Sequence, residues 1–353
     1  MATVNQVARK QRIGIIQQSR VTNHWAAPAA ASAAFAMQPY YVGQTRVSSG
    51  AAMQEFNYAT GGTGLMKEAV RRKNDQFNAL PSVPFQGVVT KQNLAAHLVA
   101  FFQSLTEAAT TPYAKVIIPA DAKLDFATNV GYLWSVATGT YDSGSAGDGM
   151  ILENALLNTL VLTIDQNAKG TQRVAQISGD WKGNNLQVAQ HFTGTWTDAF
   201  YAATPTFLND TADVFTVDLT IDGTTFTGLT CWRKFVMNGN NNVSSDCFTT
   251  GGKANNYVLA PSITYELTIP YTDASYVIRK ACHNGGNVDL NIYNGAGTTD
   301  GQLNIDFPSG YLTKDPEDFD GDYHAFTLSV EVDKLSTGWA NNVKFTDTID
   351  GGY

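Results

Sequence analysis

The chain has 353 residues and a formal net charge of −8, and its length fits two domains or one large β domain. Charged residues make up only 15% of it, against about 25% in typical globular domains, while aromatic residues reach 11% and glycine occurs 31 times. This composition excludes a coiled coil and a charge-rich disordered chain, and 23 Lys and Arg residues are a poor basis for tight nucleic-acid binding.

The N-terminal segment differs from the rest of the chain. Residues 1–62 are rich in Ala, Gln, Ser and Gly and weakly periodic, which predicts an extended arm without a core of its own. Residues 1–73 contain nine basic and two acidic residues, hence +7, whereas the remaining 14 basic and 29 acidic residues give −15. Such an arm can dock on the acidic body of another copy, or it can be a solvated tail. Residues 65–73 are predicted to form a short helix.

An amphipathic helix is predicted for residues 91–109. Thr90 is a suitable N-cap, and Pro112 would end the helix. Its apolar stripe recurs at intervals of three and four residues and consists of Leu94, His97, Leu98, Phe101, Phe102 and Leu105. Because His97 lies on this stripe, we expect it to pack in the core rather than to act in catalysis.

Beyond Pro112 the sequence predicts short β-strands separated by turns rich in Gly and Asn. Asp222-Gly223, between two β-rich runs, predicts a hairpin. The predicted strands are 115–119, 132–136, 156–164, 174–181, 215–221, 226–235, 263–269, 288–292, 303–307 and 326–332. This pattern predicts a mainly β fold made of antiparallel β-sandwich or barrel modules.

A short internal similarity favours two related β modules. The segment Thr159–Asp165 resembles Thr216–Asp222, and each is followed by a returning strand that ends near a tryptophan. We therefore predict a first module over residues 63–205, which contains the helix, and a second over residues 206–353. The arm 1–62 precedes them.

The catalytic motifs of common enzyme classes are absent from the sequence. There is no GxSxG, P-loop, HExxH or zinc-binding spacing. The three cysteines, Cys231, Cys247 and Cys282, give no disulfide framework, and we expect them to be reduced and structural. We expect no catalytic residue and no cofactor, so the chain is predicted not to be an enzyme.

An acidic segment near the C-terminus is the one candidate metal site, because carboxylate oxygens are the ligands that Ca²⁺ prefers. It does not match an EF-hand loop: aligning Gly321 with the invariant glycine places Pro316 at the first acidic position and Thr327 at the bidentate one. An irregular cation site and a solvated acidic loop both remain open. The candidate ligands are Asp315, Glu317, Asp318, Asp320 and Asp322.

The tryptophans and the hydropathy pattern complete the candidate features. In an all-β protein, tryptophan rings are expected to pack in the core or in interfaces, with a sugar-stacking platform as the alternative. No run reaches the roughly 18 consecutive apolar residues that cross a bilayer, so we expect neither a membrane segment nor a signal peptide. The six tryptophans are Trp25, Trp134, Trp181, Trp196, Trp232 and Trp339.

The order of the elements resembles that of one protein family. The elements are helix 91–109, Pro119, strand 132–136, the glycine-led strand 149–164, its return 173–183, and the closing strands 303–307 and 322–332. Over roughly residues 80–335, this order resembles the tail tube (major tail) proteins of long-tailed bacteriophages. The arm 1–62 has no clear counterpart in that family.

The resemblance implies a β-sandwich whose sheet joins neighbouring subunits into a ring, with rings stacked into the tube through which the genome passes. Two modules per chain imply trimeric, pseudo-sixfold rings, and one module implies hexamers. The implied partners are further copies of the chain and other tail proteins, namely the tape measure, tail terminator and distal tail proteins. DNA would pass without specific binding. The implied location is the virion tail, after assembly in the host cytoplasm.

The composition of the strands fits this interpretation. Exposed strand edges are usually protected by charge, often Lys, whereas the strands predicted here are rich in Thr, Asn and aromatic residues. An acidic channel would also let DNA slide, because a basic wall would bind each phosphate it meets. The alternatives are a carbohydrate-binding or adhesin-like β module, a capsid or decoration protein, and a β-rich hydrolase.

Overall fold

The computed structural model is mainly β, which confirms the predicted fold class. Two large, predominantly antiparallel sheets contain most of the strands. The structure describes residues 11–17, 34–37, 54–59, 65–70, 81–91, 93–117, 133–140, 149–166, 174–183, 185–189, 195–197, 208–209, 213–248, 254–258, 261–283, 286–320, 323–333 and 343–348.

The described residues form 24 strands and two helices. The first half of the list is β1 (Gln11–Gln17), β2 (Ala34–Met37), β3 (Gln54–Ala59), β4 (Leu65–Val70), β5 (Ser82–Val88), α1 (Leu94–Phe102), β6 (Thr106–Glu107), β7 (Tyr113–Ile117), β8 (Trp134–Thr140), β9 (Gly149–Asp165), β10 (Gln176–Lys182), β11 (Asn185–Ala189) and β12 (Thr195–Thr197). The second half is β13 (Thr216–Ile221), β14 (Thr224–Leu229), β15 (Lys234–Asn240), β16 (Val243–Phe248), β17 (Ala254–Val258), β18 (Ser262–Pro270), α2 (Asp273–Cys282), β19 (Val288–Tyr293), β20 (Gln302–Phe307), β21 (Gly310–Leu312), β22 (Glu317–Asp320), β23 (Tyr323–Val332) and β24 (Val343–Asp347).

The larger sheet is organised around β9, which has 17 residues. Its main path is β12-β2-β1-β8-β9-β15-β18-β23-β21, and β10 and β11 also pair with β9, β5 with β10, and β22 with β23. β10 and β11 follow β9 in one continuous register, because Lys182 pairs with Leu156 and Asn185 with Glu153. Most of β9 therefore has strand partners along its length.

The smaller sheet has seven strands in the order β14-β13-β19-β20-β24-β7-β6. Every neighbouring pair is antiparallel. β24, the last strand described, lies between β20 and β7, so this sheet joins distant parts of the chain. Two further hairpins, β3-β4 and β16-β17, form small sheets of their own.

The core lies between the two large sheets. Burial alternates along their strands, as in β13, where Val217, Leu219 and Ile221 are buried and the residues between them are half-buried. The ring of Tyr265 on β18 stacks on that of Phe307 on β20, with centroids 5.8 Å apart. One hydrophobic cluster includes residues of both sheets. The two sheets therefore face each other as a sandwich.

The predicted helix 91–109 is confirmed, but it spans only Leu94–Phe102 and is buried on every side. The N-cap is Asn93 rather than Thr90. The two residues bond reciprocally: the Thr90 amide donates to Asn93 Oδ1 at 2.9 Å, and the Asn93 amide donates to Thr90 Oγ1 at 3.1 Å. Gln103, with φ 58°, ends the helix in the left-handed region.

The second helix, α2, was not predicted. It connects β18 of the larger sheet with β19 of the smaller one. Thr272 and Ser275 form a capping box, in which the Ser275 amide donates to Thr272 Oγ1 at 3.1 Å. Arg279 and Lys280 lie in the last turn, where cations interact favourably with the helix dipole.

Two local predictions are wrong. Residues 65–70 form strand β4, paired with β3, and not a helix, because strand pairing overrides the helix propensity of this segment. The predicted strand 226–235 is two strands in different sheets, β14 and β15. The chain crosses between them at Trp232, whose Nε1 donates to Phe215 O at 3.1 Å.

Other strand predictions are confirmed with shifted ends. The Asp222-Gly223 turn is confirmed, with φ of 47° and 78°. β9 contains the predicted strand 156–164, and β10 returns along it as expected.

The predicted module boundary at residues 205 and 206 stays a prediction. β9 and β15, which pair directly, lie on opposite sides of it, and the smaller sheet also draws strands from both sides. Part of the predicted arm 1–62 belongs to the larger sheet: β1 pairs with β8, and Ile13 and Ile15 are buried.

Candidate assembly surface

The face of the smaller sheet that points away from the core is polar. Because side chains alternate along a strand, the residues between the buried positions share this face. We call it the polar face, and it comprises Thr216, Asp218, Thr220, Asp289, Asn291, Tyr293, Gln302, Asn304, Asp306 and Lys344. Its register aligns Asp218 with Asn291 and Asn291 with Asp306, so a row of acidic and amide side chains crosses three strands.

Two carboxyl groups of the polar face, those of Asp289 and Asp306, are held where ionisation is disfavoured. Partial burial raises the pKa of Asp306 to about 6, and the charge of Asp289 adds to this rise, while Lys344 opposes it. Burial also raises the pKa of Asp289. Burial, followed by the charge and hydrogen bond of Asp218, raises the pKa of Tyr293. The polar face carries three carboxyl groups, those of Asp218, Asp289 and Asp306, and one cationic side chain, that of Lys344.

Strand β14 forms one edge of this sheet and has features that favour pairing. Among the described residues its only strand partner is β13. Its sequence, TTFTGL, contains no charge and no proline, and four of its six residues are exposed. Natural edge strands usually carry a charge, a proline or a bulge that discourages pairing with another chain. β14 has one such feature, a bulge opposite Asp218, where Gly228 has φ of 68° and its amide donates to Asp218 Oδ1 at 2.7 Å.

Two other described edges carry different kinds of protection. β5, which pairs only with β10 among the described strands, contains Pro84. β6, at the far edge of the smaller sheet, has two residues and ends with Glu107. The edge strands β11, β12 and β21 also lack charge and proline but are shorter, so β14, with six residues, is the longest uncharged, proline-free edge strand among those described.

A few large apolar side chains are exposed in the described part of the chain. Tyr276 is 62% exposed and Val277 49% exposed, both on α2. Val214, which precedes β13, and Tyr311 on β21 are exposed as well. Scattered single residues of this kind are normal on protein surfaces.

The predicted cation site is only partly described. Residues Glu317–Asp320 form strand β22 rather than a loop, pairing with β23 through Phe319 and His324. Asp315 is exposed, and Asp322 lies outside the described residues. Among the described residues, no group of three His, Cys, Asp or Glu side chains is close enough to hold a metal ion. The cation site stays a prediction.

His97 is a packing residue, as predicted. It is fully buried, and burial lowers its pKa to about 4, opposed by a hydrogen bond to the backbone of Asn93. Its Nδ1 lies 2.9 Å from Asn93 O. Its ring packs against Phe85 and Trp181, with centroid distances of 5.4 and 6.5 Å.

The tryptophans whose side chains are described also pack in the core. Trp134, Trp181 and Trp232 are buried, which confirms core packing for these three and removes them from any sugar-stacking platform. Among the described cysteine side chains, Cys231 is exposed and Cys282 buried, and both are free. Burial raises the pKa of the Cys282 thiol to about 11, so it is unreactive near neutral pH.

No protein-family model matches the sequence, and a search of curated proteins finds no match. Within the described residues, neither helix is long and apolar enough to cross a membrane.

Sequence reasoning missed one buried cluster of charged side chains. Lys115 and Asp347 are fully buried in contact with each other on the core side of the smaller sheet, and Glu107 lies next to them. The three residues are 8 and 232 positions apart along the chain. Only strand pairing brings them together, so no local motif could have revealed them.

Proposed function

We propose that this chain is a structural virion protein that polymerises as stacked rings into a phage tail tube, the conduit for genome delivery. The observation that carries the proposal is the uncharged, exposed edge of β14. An edge strand of this composition offers free backbone groups to a second chain, and a closed ring is an assembly in which every such edge is paired. The resemblance in element order supports the same function.

The polar face supports the conduit role. It lies on the same sheet as β14, so joining sheets edge to edge through β14 would make the polar faces of neighbouring copies continuous. Asp218, Asp289 and Asp306 outnumber Lys344 on this face. We place it towards the lumen, where excess acid avoids the counterion-release affinity that a basic wall would gain from DNA phosphates.

The test is the assembly state of edge variants. Thr225→Lys and Thr227→Lys together place two cations on the exposed side chains of β14 and should block pairing without disturbing the core. Thr298→Lys and Thr299→Lys together, on an exposed loop between β19 and β20, are the matched control for two added charges. Sedimentation velocity and negative-stain microscopy should show rings or tubes for the natural chain and the control, and small folded species for the β14 variant.

The outcomes separate the proposal from its alternatives. Wild-type protein that stays a single chain at high concentration contradicts the proposal. A single chain whose tryptophan fluorescence responds to sugars would favour the carbohydrate-binding module. Closed shells in place of tubes would favour the capsid or decoration protein.

A further inference from the structure

A lysine and two carboxylates meet inside the smaller sheet. Lys115, on β7, is fully buried, and its Nζ contacts Oδ1 of Asp347, on β24, which is also fully buried. Oε2 of Glu107, on β6, lies 3.8 Å from the same Nζ. The three residues come from three adjacent strands.

The strand register explains why these side chains share one site. Lys115 pairs with Phe345 on one side and with Glu107 on the other, and Phe345 pairs with Leu303, so the lysine occupies a core-facing row. Asp347 is two residues beyond Phe345 and therefore lies diagonally across from Lys115, within reach of a long side chain. The ring of Tyr113 lies 5.7 Å from Nζ and covers the site from the same strand.

Burial makes this contact chemically unusual. Charges removed from water lose their hydration, so a buried ion pair is weakly stabilised relative to its neutral form. Transfer of one proton from the ammonium to the carboxylate produces an amine beside a carboxylic acid. Because the fold holds the two groups in contact, their effective concentration is high.

From this geometry we infer that Lys115 and Asp347 form an intramolecular isopeptide bond. The amine nitrogen Nζ attacks Cγ of Asp347, a C–N bond forms, the C–OH bond breaks, and one water leaves. No redox change and no co-reactant are needed. Glu107 accepts a proton from the attacking nitrogen and returns it to the departing hydroxyl, the role of a general acid-base group.

The bond would fasten the last described strand to the sheet. Lys115 and Asp347 are 232 residues apart, so the cross-link closes a loop that spans about two thirds of the chain. A ring subunit under tension would then resist extraction of β24. The inference itself does not depend on the proposed assembly.

The test is the intact mass of the purified full chain under denaturing conditions, compared with the mass from its own sequence. We expect a deficit of one water, about 18 Da. After trypsin, the cross-link should join peptide 92–123, uncut at Lys115, to peptide 345–353. A natural chain with no deficit, and with separate peptides, overturns the inference and leaves an ordinary buried ion pair.

Variants assign the roles within the cluster. Lys115→Arg removes the nucleophile and should abolish the deficit. Asp347→Asn should lose ammonia, about 17 Da relative to its own sequence, and give a product of the same mass as the natural chain. Lys91→Arg is the matched control, because Lys91 pairs with Asp213 at 3.3 Å in a more exposed site, and it should keep the full deficit.

Glu107→Gln keeps the size of the side chain and removes the general base. We expect a folded chain, checked by circular dichroism, whose deficit is absent or appears slowly. A full deficit immediately after purification of this variant would overturn the role given to Glu107. Comparing each variant with its own sequence mass also removes any effect of N-terminal processing common to all of them.

Discussion

Asn158 donates hydrogen bonds from Nδ2 to both carboxylate oxygens of Asp180, at 3.1 and 3.2 Å. The register of β9 against β10 shifts immediately after Asp180, so the amide bridges the irregularity. Oδ1 of the same side chain accepts a hydrogen bond from the Val243 amide at 2.9 Å. Asn158, which interrupts the apolar alternation of this strand, therefore links β9, β10 and the start of β16.

Replacing Asn158 with Leu should destabilise the fold, although the two side chains are similar in size. The change leaves the carboxylate of Asp180 and the buried Val243 amide without this partner, which costs about 1–3 kcal/mol. Urea unfolding followed by circular dichroism measures the loss. Asn238→Leu, on the outer face of β15, is the matched control and should change the unfolding free energy by less than about 0.5 kcal/mol. Equal effects of the two changes would argue against the bridging role.

Gly239 allows α1 to pack close to the larger sheet. A Cβ added at this position would lie 2.3 Å from Cζ of the Phe101 ring, which is 2% exposed and belongs to the hydrophobic core. Gly239→Ala should therefore cost about 1–3 kcal/mol through overpacking. Chemical denaturation of the single variant gives this value.

A double-mutant cycle tests the cause of that loss. Phe101→Leu removes the ring that the added methyl group meets. The double variant Gly239→Ala, Phe101→Leu should lose less stability than the sum of the two single variants, because the clash disappears with the ring. Strict additivity would locate the strain elsewhere.

Removing residues 1–60 should uncover the β8 edge. β1 pairs with β8 over seven residue pairs, from Gln11 with Thr140 to Gln17 with Trp134, and it contributes buried Ile13 and Ile15 to the core. We expect a truncated chain that keeps its β signal in circular dichroism but is less stable and no longer forms long tubes. Tubes of normal length from the truncated chain would show that this segment has no part in stacking.

Sequence periodicity predicts the elements that are determined by residues close together in the chain. The alternation of Phe215, Val217, Leu219 and Ile221 and the turn at Asp222-Gly223 predicted the β13-β14 hairpin, because one strand face and one turn determine it. The local sequence pattern does not show that β14 and β15 belong to different sheets. That separation is set by long-range strand pairing, and the hydrogen bond of Trp232 to Phe215 O, a contact across 17 residues, accompanies it.

The two errors in the helix predictions, the absence of α2 and the excess length of α1, have different physical causes. The sequence of α2 has an N-cap residue, Thr272, followed by Asp273 in the first turn and by Arg279 and Lys280 in the last, but it lacks the Glu or Gln that marks a capping box in sequence, because Ser275 takes that place. α1 is shorter than its apolar stripe suggested, because Gln103 turns left-handed and Leu105 packs after the helix has ended. The lysine cluster on β7 was beyond sequence reasoning, since strand pairing alone creates it.

His97 and Asp306 should affect stability in opposite directions as the pH falls. The pKa of His97 is lowered from 6.5 to about 4 in the fold, so between these values the unfolded chain binds a proton that the folded chain does not, and stability falls. The pKa of Asp306 is raised from 3.8 to about 6, so in that range the folded chain keeps a proton that the unfolded chain releases, and stability rises. His97 is fully buried and Asp306 is only half-buried, so the histidine should dominate.

Unfolding free energies at pH 7 and pH 4.5 measure the balance. His97→Phe keeps a ring against Phe85 and Trp181 and removes the titrating group, so it should reduce the loss of stability on acidification by about 2 kcal/mol. Asp306→Asn should increase that loss, by about 1 kcal/mol after allowance for solvent screening. Asp315→Asn, at an exposed carboxyl group, serves as the control. If His97→Phe leaves the pH dependence unchanged, the buried imidazole is not what makes the fold sensitive to acid.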